Sequence, residues 1–246
     1  MKKYINAVKK RLADRYVIQK KTIPSNFKQI SFTFDDVPDS AFINAQPILD
    51  KYQFKGTFYL SLSFLDTDNQ NENLYNKDHI LNCLSNDHEL GCHTYNHIHF
   101  YEDSNPKFVQ NNLNINQEKL NELGIQKTFQ NFSYPYGEQT RKSKKIISKK
   151  FNSARSIDHG INKGKIDLHN LKAVKLYEGL HSVDRIFSIL EDFNKTGGWL
   201  IFYTHDVQSN YSKYGCSPKY FEQIIQKCEE LNIDIKTIND CIKTLN

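Results

Sequence analysis

The sequence predicts an α/β fold with parallel strands, arranged either as a barrel or as a doubly wound sheet. Segments typical of strands and helices alternate about seven times along the chain, which is the pattern of consecutive βα units. A length of 246 residues is ordinary for one α/β barrel, and 16 Phe with 14 Tyr can fill a sizeable core. No linker or internal repeat is visible. We therefore expect one domain over residues 25–246, preceded by a basic helical extension over residues 1–24.

The extension holds the chain's excess positive charge. Residues 1–21 contain eight Lys or Arg and a single acid, Asp14, whereas the whole chain has a net charge of +5. Residues 2–20 predict a helix with an apolar stripe made of Tyr4, Val8, Leu12 and Tyr16. Two interpretations of this helix stay open: it packs on the domain, or it rests on an anionic membrane surface.

The remaining residues show no nucleic-acid-binding pattern. They are nearly neutral, and we interpret their basic run at 141–150 as the solvated face of a helix. The five Cys are odd in number and form no CxxC pair, which predicts free thiols in a reducing cytosol. No apolar stretch matches a signal peptide or a transmembrane helix. We expect a cytoplasmic protein, either free or peripheral at the inner face of the membrane.

The first part of the chain predicts four strand–helix units. Short apolar runs predict strands at 30–34, 57–60, 88–92 and 128–134. Helical periodicity predicts helices at 40–52, 76–85, 105–123 and 139–150. Gly124 ends the third helix, and residues 66–73 form a polar Asp/Asn loop.

The second part predicts the remaining units less evenly. Strands are expected at 152–156, 171–176, 199–203 and 233–235. Helices are expected at 183–195, 217–231 and 237–244. Apart from its one predicted strand, the region 158–181 carries no clear periodicity.

Two adjacent carboxylates directly follow the first strand. Ile30, Phe32 and Phe34 alternate with polar residues, and Asp35 and Asp36 come next. Because the proline that follows at position 38 prevents the strand from continuing, both carboxylates can turn into one pocket. The alternative is a solvated turn.

A histidine pair follows the third strand. His93 and His97 are four residues apart, a spacing that can chelate one metal ion. The residue after His93 is Thr94 rather than the Glu of zincins, so a general base must come from elsewhere. Asp36 can supply a third ligand, which would leave Asp35 free as a base. A polar turn is again the alternative.

Two more polar clusters lie at strand ends. Pro135 and Gly137 fix a tight loop whose backbone N–H can stabilise an oxyanion, and His205 ends an apolar strand. Taken singly, these are more often a turn and a structural histidine. All four clusters nevertheless fall at the carboxyl ends of predicted strands, where barrel and open-sheet enzymes place their active sites.

Together these motifs resemble those of the NodB-homology polysaccharide deacetylases, carbohydrate esterase family 4, over roughly residues 28–240. The matching stretches are Thr33–Asp36, His93–His97, Pro135–Gly137 and the strand that ends at His205. The resemblance implies a distorted (β/α) barrel. It also implies one divalent metal ion, usually zinc, bound by Asp36, His93 and His97.

The chemistry implied by the resemblance is removal of an acetyl group from an N-acetylated sugar. Asp35 would be the base, His205 the acid, and the Tyr136 backbone N–H the oxyanion donor. Tyr134, Pro135 and Tyr136 would contact the substrate. His99, beside the metal motif, is interpreted as a loop residue, with substrate contact as the alternative.

Two positions depart from the family pattern. The third motif usually opens with an Arg that orients the catalytic Asp, and here that position is Ser133. The usual Trp of the fourth motif is also missing, since Trp199 is the chain's one Trp. We hypothesise that Arg155 orients Asp35 from the opposite side, with a surface or sheet-edge Arg as the alternative.

The missing export signal bears on the substrate, because polymer-acting relatives are exported. We therefore expect a nucleotide-linked or lipid-linked N-acetyl sugar, or a precursor glycan of an envelope polysaccharide. Two other classes stay open: hydrolysis of a cyclic amide or ureide, and a non-catalytic glycan-binding module. An intact acid–base set argues against the binding module.

Overall fold

The computed structural model describes residues 2–69 and 72–245. Its helices are α1 (Lys2–Asp14), α2 (Gln46–Lys51), α3 (Lys77–Ser85), α4 (Pro106–Glu122), α5 (Arg141–Ile147), α6 (Val183–Thr196), α7 (Pro218–Glu230) and α8 (Ile238–Thr244). Its strands are β1 (Lys20–Ile23), β2 (Lys28–Asp35), β3 (Thr57–Leu60), β4 (Asp68–Asn69), β5 (Glu72–Asn73), β6 (Glu89–Cys92), β7 (Asn131–Ser133), β8 (Ser153–Arg155), β9 (Gly164–Asp167), β10 (Val174–Lys175), β11 (Gly198–Thr204) and β12 (Asp234–Ile235). A π-helical turn at Ala41–Ala45 leads into α2.

The main sheet is parallel and curls into a distorted barrel. Its strand order is β10-β11-β2-β3-β6-β7-β8, and β12 pairs with the beginning of β2. The segment before β10 bonds to the far edge: Leu171 N–H donates to the Ala154 carbonyl, and Ser156 N–H donates to the Leu171 carbonyl. Because this segment joins the two edges, the expected distorted (β/α) barrel is confirmed.

Two apolar layers cover the two faces of the sheet. On β11, Leu200 and Phe202 belong to the layer under the helices. Trp199 and Ile201 alternate with them and belong to the barrel interior, where Ile238 of α8 packs among them. Thus α8 fills the barrel at the amino ends of the strands, and the opposite end remains available for a site.

The N-terminal helix is shorter than the sequence predicts. It ends at Asp14, not residue 20, and Nζ of Lys144 donates to the carbonyls of Ala13 in its last turn (3.1 Å) and of Tyr16 just beyond it (2.8 Å). After this turn, β1 pairs antiparallel with β9. The expected helical extension over residues 1–24 is therefore corrected to a helix and a strand, both bonded to the body.

The predicted solvated face of residues 141–150 is wrong at Lys144. This side chain is fully buried and pairs with Asp167 at 2.8 Å. Its ammonium donates hydrogen bonds to a carbonyl at the end of α1 and to the carboxylate at the end of β9. One buried cation on α5 therefore joins α5, α1 and β9.

Two other regions also differ from the prediction. The expected strand at 171–176 is reduced to β10, although Leu171 forms an isolated bridge to Arg155. The expected polar loop at 66–73 contains the antiparallel pair β4–β5, whose connecting residues 70–71 lie outside the described part. All five Cys are free, as predicted, and the structure adds that all five are buried. None of the described helices has the length and apolar character needed to cross a membrane.

Candidate active site

A cavity of about 280 Å³ lies at the carboxyl ends of the strands. It collects side chains that the sequence places far apart, because Asp35 ends β2, His93 follows β6 and His205 follows β11. The predicted residues that line the cavity are Asp35, Asp36, His93, His97, Tyr134, Tyr136 and His205. The predicted convergence of the polar clusters at one sheet edge is therefore present in the fold.

The backbone around the cavity is strained. Among the described residues, Asp36, Val37, Thr94, His97 and Tyr136 all have positive φ, between 48° and 64°. A β-branched residue such as Val37 rarely adopts this conformation, and each such residue costs about 1–3 kcal/mol. Such strain is typical of functional sites. Here it turns Asp36 out of the β2 direction while Asp35 remains in the strand.

Asp36, His93 and His97 form a group that can hold a metal ion. Their ligand atoms all lie within 4.8 Å of one another, and Oδ1 of Asp36 is 3.2 Å from Nε2 of His97 and 3.5 Å from Nε2 of His93. Nδ1 of His93 lies 2.8 Å from the Ser133 carbonyl oxygen. An Nδ1–H must donate there, which leaves the Nε2 lone pair toward Asp36.

The protonation states suit a cation. Burial lowers the pKa of His93 to about 4 and that of His97 to about 2, so both imidazoles are neutral near pH 7. Two neutral imidazoles and one carboxylate are a donor set that catalytic zinc uses, with a further position for water or substrate. The donor chemistry therefore fits a divalent metal ion.

Asp35 is held by a buried arginine. Nη2 of Arg155 donates to both carboxylate oxygens of Asp35, and Nη1 donates to the Ser156 carbonyl at 3.0 Å. Burial would raise the pKa of Asp35, but the charge of Arg155, joined by His93 and His205 once low pH protonates them, outweighs burial and lowers the pKa to about 2. Asp35 is therefore ionised at neutral pH, the form that a base requires.

His205 lies across the cavity from the histidine pair. Its Nε2 is 3.8 Å from Oδ2 of Asp36, and the rings of Tyr177 and Tyr214 pack around it. Burial lowers the pKa of His205, so its imidazole is also neutral at rest. Its Nδ1 is buried and makes no hydrogen bond within the described part of the chain.

The comparisons with known proteins agree with this geometry. A family model described as Polysaccharide deacetylase matches residues 22–151, more than half of the chain. The chain belongs to the polysaccharide deacetylase family. This membership confirms the resemblance drawn from the motifs. No curated protein matches the chain.

Solved structures share the deacetylase fold at low sequence identity. A family 4 acetyl xylan esterase from Clostridium thermocellum, solved with cobalt, is 16% identical with a TM-score of 0.63, covering 88% of this chain and 91% of that one. A peptidoglycan N-acetylglucosamine deacetylase is 17% identical with a TM-score of 0.62, covering 90% and 91%. A CE4 family pseudoenzyme from Bacillus anthracis is 13% identical with a TM-score of 0.61, covering 91% and 67%. At these identities the likeness concerns the fold alone.

At position 133, where the family pattern has an Arg, this chain has Ser133, and the fold places Arg155 beside it. Ser133 and Arg155 are register partners on β7 and β8, and Nη2 of Arg155 also donates to Oγ of Ser133. The guanidinium lies 4.7 Å from the Tyr203 ring centre and is fully buried. The alternative of a surface Arg155 is therefore wrong. Trp199 lies deep in the barrel, where its Nε1 donates to Ser31.

The Tyr134–Gly137 loop borders the histidine pair. Gly137 has φ 66°, and a Cβ there would meet Ile157 at 2.2 Å, so both conformation and space require glycine. The centre of the Tyr136 ring lies 4.2 Å from that of the His97 ring, and the ring stacks on His99 with a centre-to-centre distance of 3.7 Å. The Tyr136 N–H donates to none of the described residues, consistent with its predicted use as an oxyanion donor.

Two predicted substrate contacts, Tyr134 and Pro135, and the neighbouring His99 are each held by the surrounding protein. Tyr134 reaches the cavity, but its ring is buried beside Phe132 and its hydroxyl donates to a backbone carbonyl at 3.4 Å. Pro135 is buried. His99 is held in its loop by Glu138 at 3.2 Å, in keeping with its interpretation as a loop residue.

Sequence reasoning missed several residues of the cavity wall. Apart from Tyr203 of β11, these are Ile157, Lys175, Tyr177 and Tyr214. Lys175 ends β10, so the rule that identified the other clusters, polar residues at a strand end, also applies to it. The other three come from loops without a recognisable pattern.

Proposed function

We propose that this chain is a metal-dependent deacetylase of N-acetylated sugars. The observation that carries the proposal is the convergence of Asp35, Asp36, His93, His97 and His205 on one cavity, with Asp35 fixed by a buried guanidinium. A binding-only module has no need of both a base and an acid beside a metal-ligand group.

In the proposed reaction, water attacks the acetyl carbon and the C–N bond breaks to give acetate and a free amine. A divalent ion held by Asp36, His93 and His97 would supply Lewis acidity toward the acetyl carbonyl and the water. Asp35 accepts the proton of the attacking water, and Arg155 keeps that carboxylate oriented and ionised. His205 takes up a proton from solvent and passes it to the departing nitrogen, and Asp35 returns the proton of the attacking water to solvent once acetate and amine have formed. The Tyr136 N–H donates to the oxyanion.

For the substrate we propose an N-acetyl sugar linked to a nucleotide or a lipid, or a precursor of an envelope glycan, reached from the cytoplasm. Five buried free thiols suit a reducing compartment. The α1 helix bonds to the loops that follow His99 and Ile157: Lys9 donates to the Tyr101 carbonyl at 2.5 Å, and Lys10 pairs with Asp158 at 2.6 Å. Asp158 directly follows Ile157 of the cavity wall.

We also propose that α1 rests on an anionic membrane surface. Its polar side makes the contacts with the body, whereas its apolar stripe faces outward: Tyr4 is 76% exposed, Val8 41% and Leu12 42%. Arg11 and Arg15 are exposed along the same helix and its end. An outward apolar stripe flanked by cations fits the headgroup region of an anionic lipid surface.

The membrane proposal is tested with vesicles of anionic or zwitterionic lipid. Val8→Ser/Leu12→Ser changes two exposed residues and should reduce binding to anionic vesicles about tenfold, since each side chain buries apolar area on binding. Leu180→Ser, at an exposed leucine away from α1, is the control. Equal binding of the double variant and wild type would contradict the membrane role of α1.

The deacetylase proposal is tested by a substrate panel with divalent metal present. N-acetylglucosamine oligomers, a nucleotide-linked N-acetyl sugar and several cyclic amides are assayed for acetate or ring opening. We expect acetate from an N-acetyl sugar, loss of activity in Asp35→Asn, and retention in the matched control Asp39→Asn, which lies outside the cavity. Ring opening without acetate release would favour the cyclic amide class. Glycan binding without turnover would contradict catalysis.

A further inference from the structure

One wall of the cavity carries positive charge that the proposed deacetylation does not use. Lys175 ends β10 and lines the cavity. It is the register partner of Tyr203 on β11, and paired residues of parallel strands face the same side of a sheet. Tyr203 packs in the barrel interior over Arg155. Lys175 therefore belongs to the interior face, at the mouth of the cavity.

Lys175 has no counter-ion in the described part of the chain. Its Nζ lies 5.8 Å from the centre of the Tyr177 ring, and no ion pair with a carboxylate forms within 4.0 Å. The aromatic face holds the ammonium but leaves its three N–H groups without an anionic acceptor.

The carboxylates of the same region are engaged elsewhere. Asp158 pairs with Lys10 at 2.6 Å, and Glu178 accepts the Ser217 N–H at 2.7 Å. Asp206 is fully buried and accepts the backbone N–H of residue 212 at 2.7 Å. The charge of Lys175 is therefore free to meet a charge brought by a ligand.

A second lysine lies over the neighbouring ring of the same cavity wall, since the ring centres of Tyr177 and Tyr214 are 5.7 Å apart. Nζ of Lys213 is 4.8 Å from the centre of the Tyr214 ring, which lines the cavity. The rings of His159 and His181 are 6.4 Å apart. Burial, followed by the neighbouring cations including Lys175, lowers the pKa of His181. His181 is therefore neutral near pH 7, and we refer to the two lysines, Lys175 and Lys213, as the cationic rim.

We propose that the cationic rim binds an anionic group of the substrate, a carboxylate or a phosphate attached near the N-acetyl sugar. A neutral polysaccharide would leave the Lys175 ammonium half-buried without a partner, whereas an anion would form charge-assisted hydrogen bonds with it. This inference rests on the proposed deacetylase function and narrows its substrate class to charged N-acetyl sugars.

The test compares three substrates that share one N-acetyl sugar: a neutral methyl glycoside, a sugar bearing a carboxylate, and a nucleoside-diphosphate sugar. For each we measure kcat and KM in wild type, Lys175→Met, Lys175→Arg and the control Lys172→Met. Lys172 is an exposed lysine three residues away that does not line the cavity.

We expect wild type to favour an anionic substrate over the neutral one. Lys175→Met should lower the anionic-to-neutral ratio of kcat/KM about tenfold, mainly through KM, because binding before reaction is weakened. Lys175→Arg should retain most of the ratio, Lys172→Met should leave it unchanged, and added salt should reduce it. Preference for the phosphate or the carboxylate substrate identifies the source of the anion.

An unchanged ratio in Lys175→Met, or a wild-type preference for the neutral glycoside, would overturn the proposal. Calorimetric binding of the same anionic sugars to the same variants keeps this test separate from catalysis. If no substrate releases acetate, the deacetylase function fails, while weaker anion binding by Lys175→Met still supports the cationic rim. Equal binding of the anionic sugars by wild type and Lys175→Met would exclude the cationic rim as an anion site.

Discussion

Buried polar residues occupy both ends of the barrel, but they are arranged differently. At the amino ends of the strands, Glu89 accepts hydrogen bonds from Thr57, Asn131 and the Asn239 N–H, and α8 covers the group. At the carboxyl ends, the carboxylates and imidazoles face a cavity, and the backbone that carries them is strained.

We infer that the amino end of the barrel contributes mainly to stability and the carboxyl end mainly to activity. Polar groups that satisfy one another rigidify a fold, whereas groups that keep unused donors, acceptors or lone pairs are available to a ligand. We therefore expect substitutions at the carboxyl end to remove activity while the fold persists. Substitutions at the amino end should affect stability first.

The largest expected effect is that of His93→Ala. Removing one imidazole of the metal-ligand group should lower kcat/KM about 10³-fold or more and abolish stoichiometric metal binding, because several kcal/mol of charge stabilisation depend on the metal. Metal content and acetate release are measured on the same samples, with His99→Ala as the control from the adjacent loop. Retained activity in His93→Ala would place the chemistry elsewhere.

Arg155→Ala should have the next largest effect. Without the guanidinium, burial raises the pKa of Asp35, so the acid limb of kcat/KM should move to higher pH and activity at neutral pH should fall about 10²–10³-fold. Because loss of a buried partner can also cost about 3–5 kcal/mol of stability, Arg155→Lys is measured in parallel. An unchanged pH profile in folded Arg155→Ala would refute its role as orienter.

The amino end should respond to pH through His88. Its Nδ1 accepts the Gly56 N–H, its Nε2 donates to Asp50 at 3.1 Å, and burial lowers its pKa to about 4. The unfolded state therefore binds a proton below about pH 6.5 that the folded state rejects until about pH 4, so stability falls as the pH falls through this range.

The expected loss from His88 is about 2 kcal/mol between pH 7 and pH 5. Urea unfolding at both pH values is compared for wild type and His88→Gln, which does not titrate. The wild type should lose about that much more stability than the variant, while folded His88→Gln retains wild-type activity at pH 7. Equal pH dependence of the two proteins would argue against a neutral buried His88.

The smallest predicted effect tests whether the position of the arginine is interchangeable. Since Ser133 and Arg155 face each other on β7 and β8, the double variant Ser133→Arg/Arg155→Ser returns the guanidinium to the family position. It should recover about tenfold in kcat/KM over Arg155→Ser alone, the size of coupling expected between contacting residues. No recovery would indicate that Arg155 acts through a geometry specific to β8.

Much of the fold could be predicted because its main strands are short apolar runs that end in Pro or polar residues. The exceptions are physical. The strands β1 and β9 contain several Lys and, within the described part of the chain, form a two-stranded sheet of their own, so no apolar alternation marks them. Lys144 reads as a surface residue in sequence, and its burial depends on carbonyls and a carboxylate from distant segments.

The candidate site also contains residues that the sequence predicts and residues that it does not. Two contiguous motifs made it possible to predict Asp35, Asp36, His93 and His97 together. The prediction of Arg155 followed because the Arg of the family pattern is replaced by Ser133. Lys175 follows the same strand-end rule but belongs to no motif, and the aromatic residues around it come from short segments that only the fold brings to the cavity. The positive φ values of the site loops could not be read from the residue types.

We expect acetate release to require a divalent ion at the carboxyl end of the barrel. The most direct test is a titration of metal-free protein with zinc or cobalt, following bound metal and acetate release in the same samples. We expect activity to rise with metal occupancy and to saturate at about one ion per chain, the stoichiometry of a mononuclear site. Full acetate release from metal-free protein, or one bound ion without acetate release from any N-acetyl sugar, would contradict this expectation.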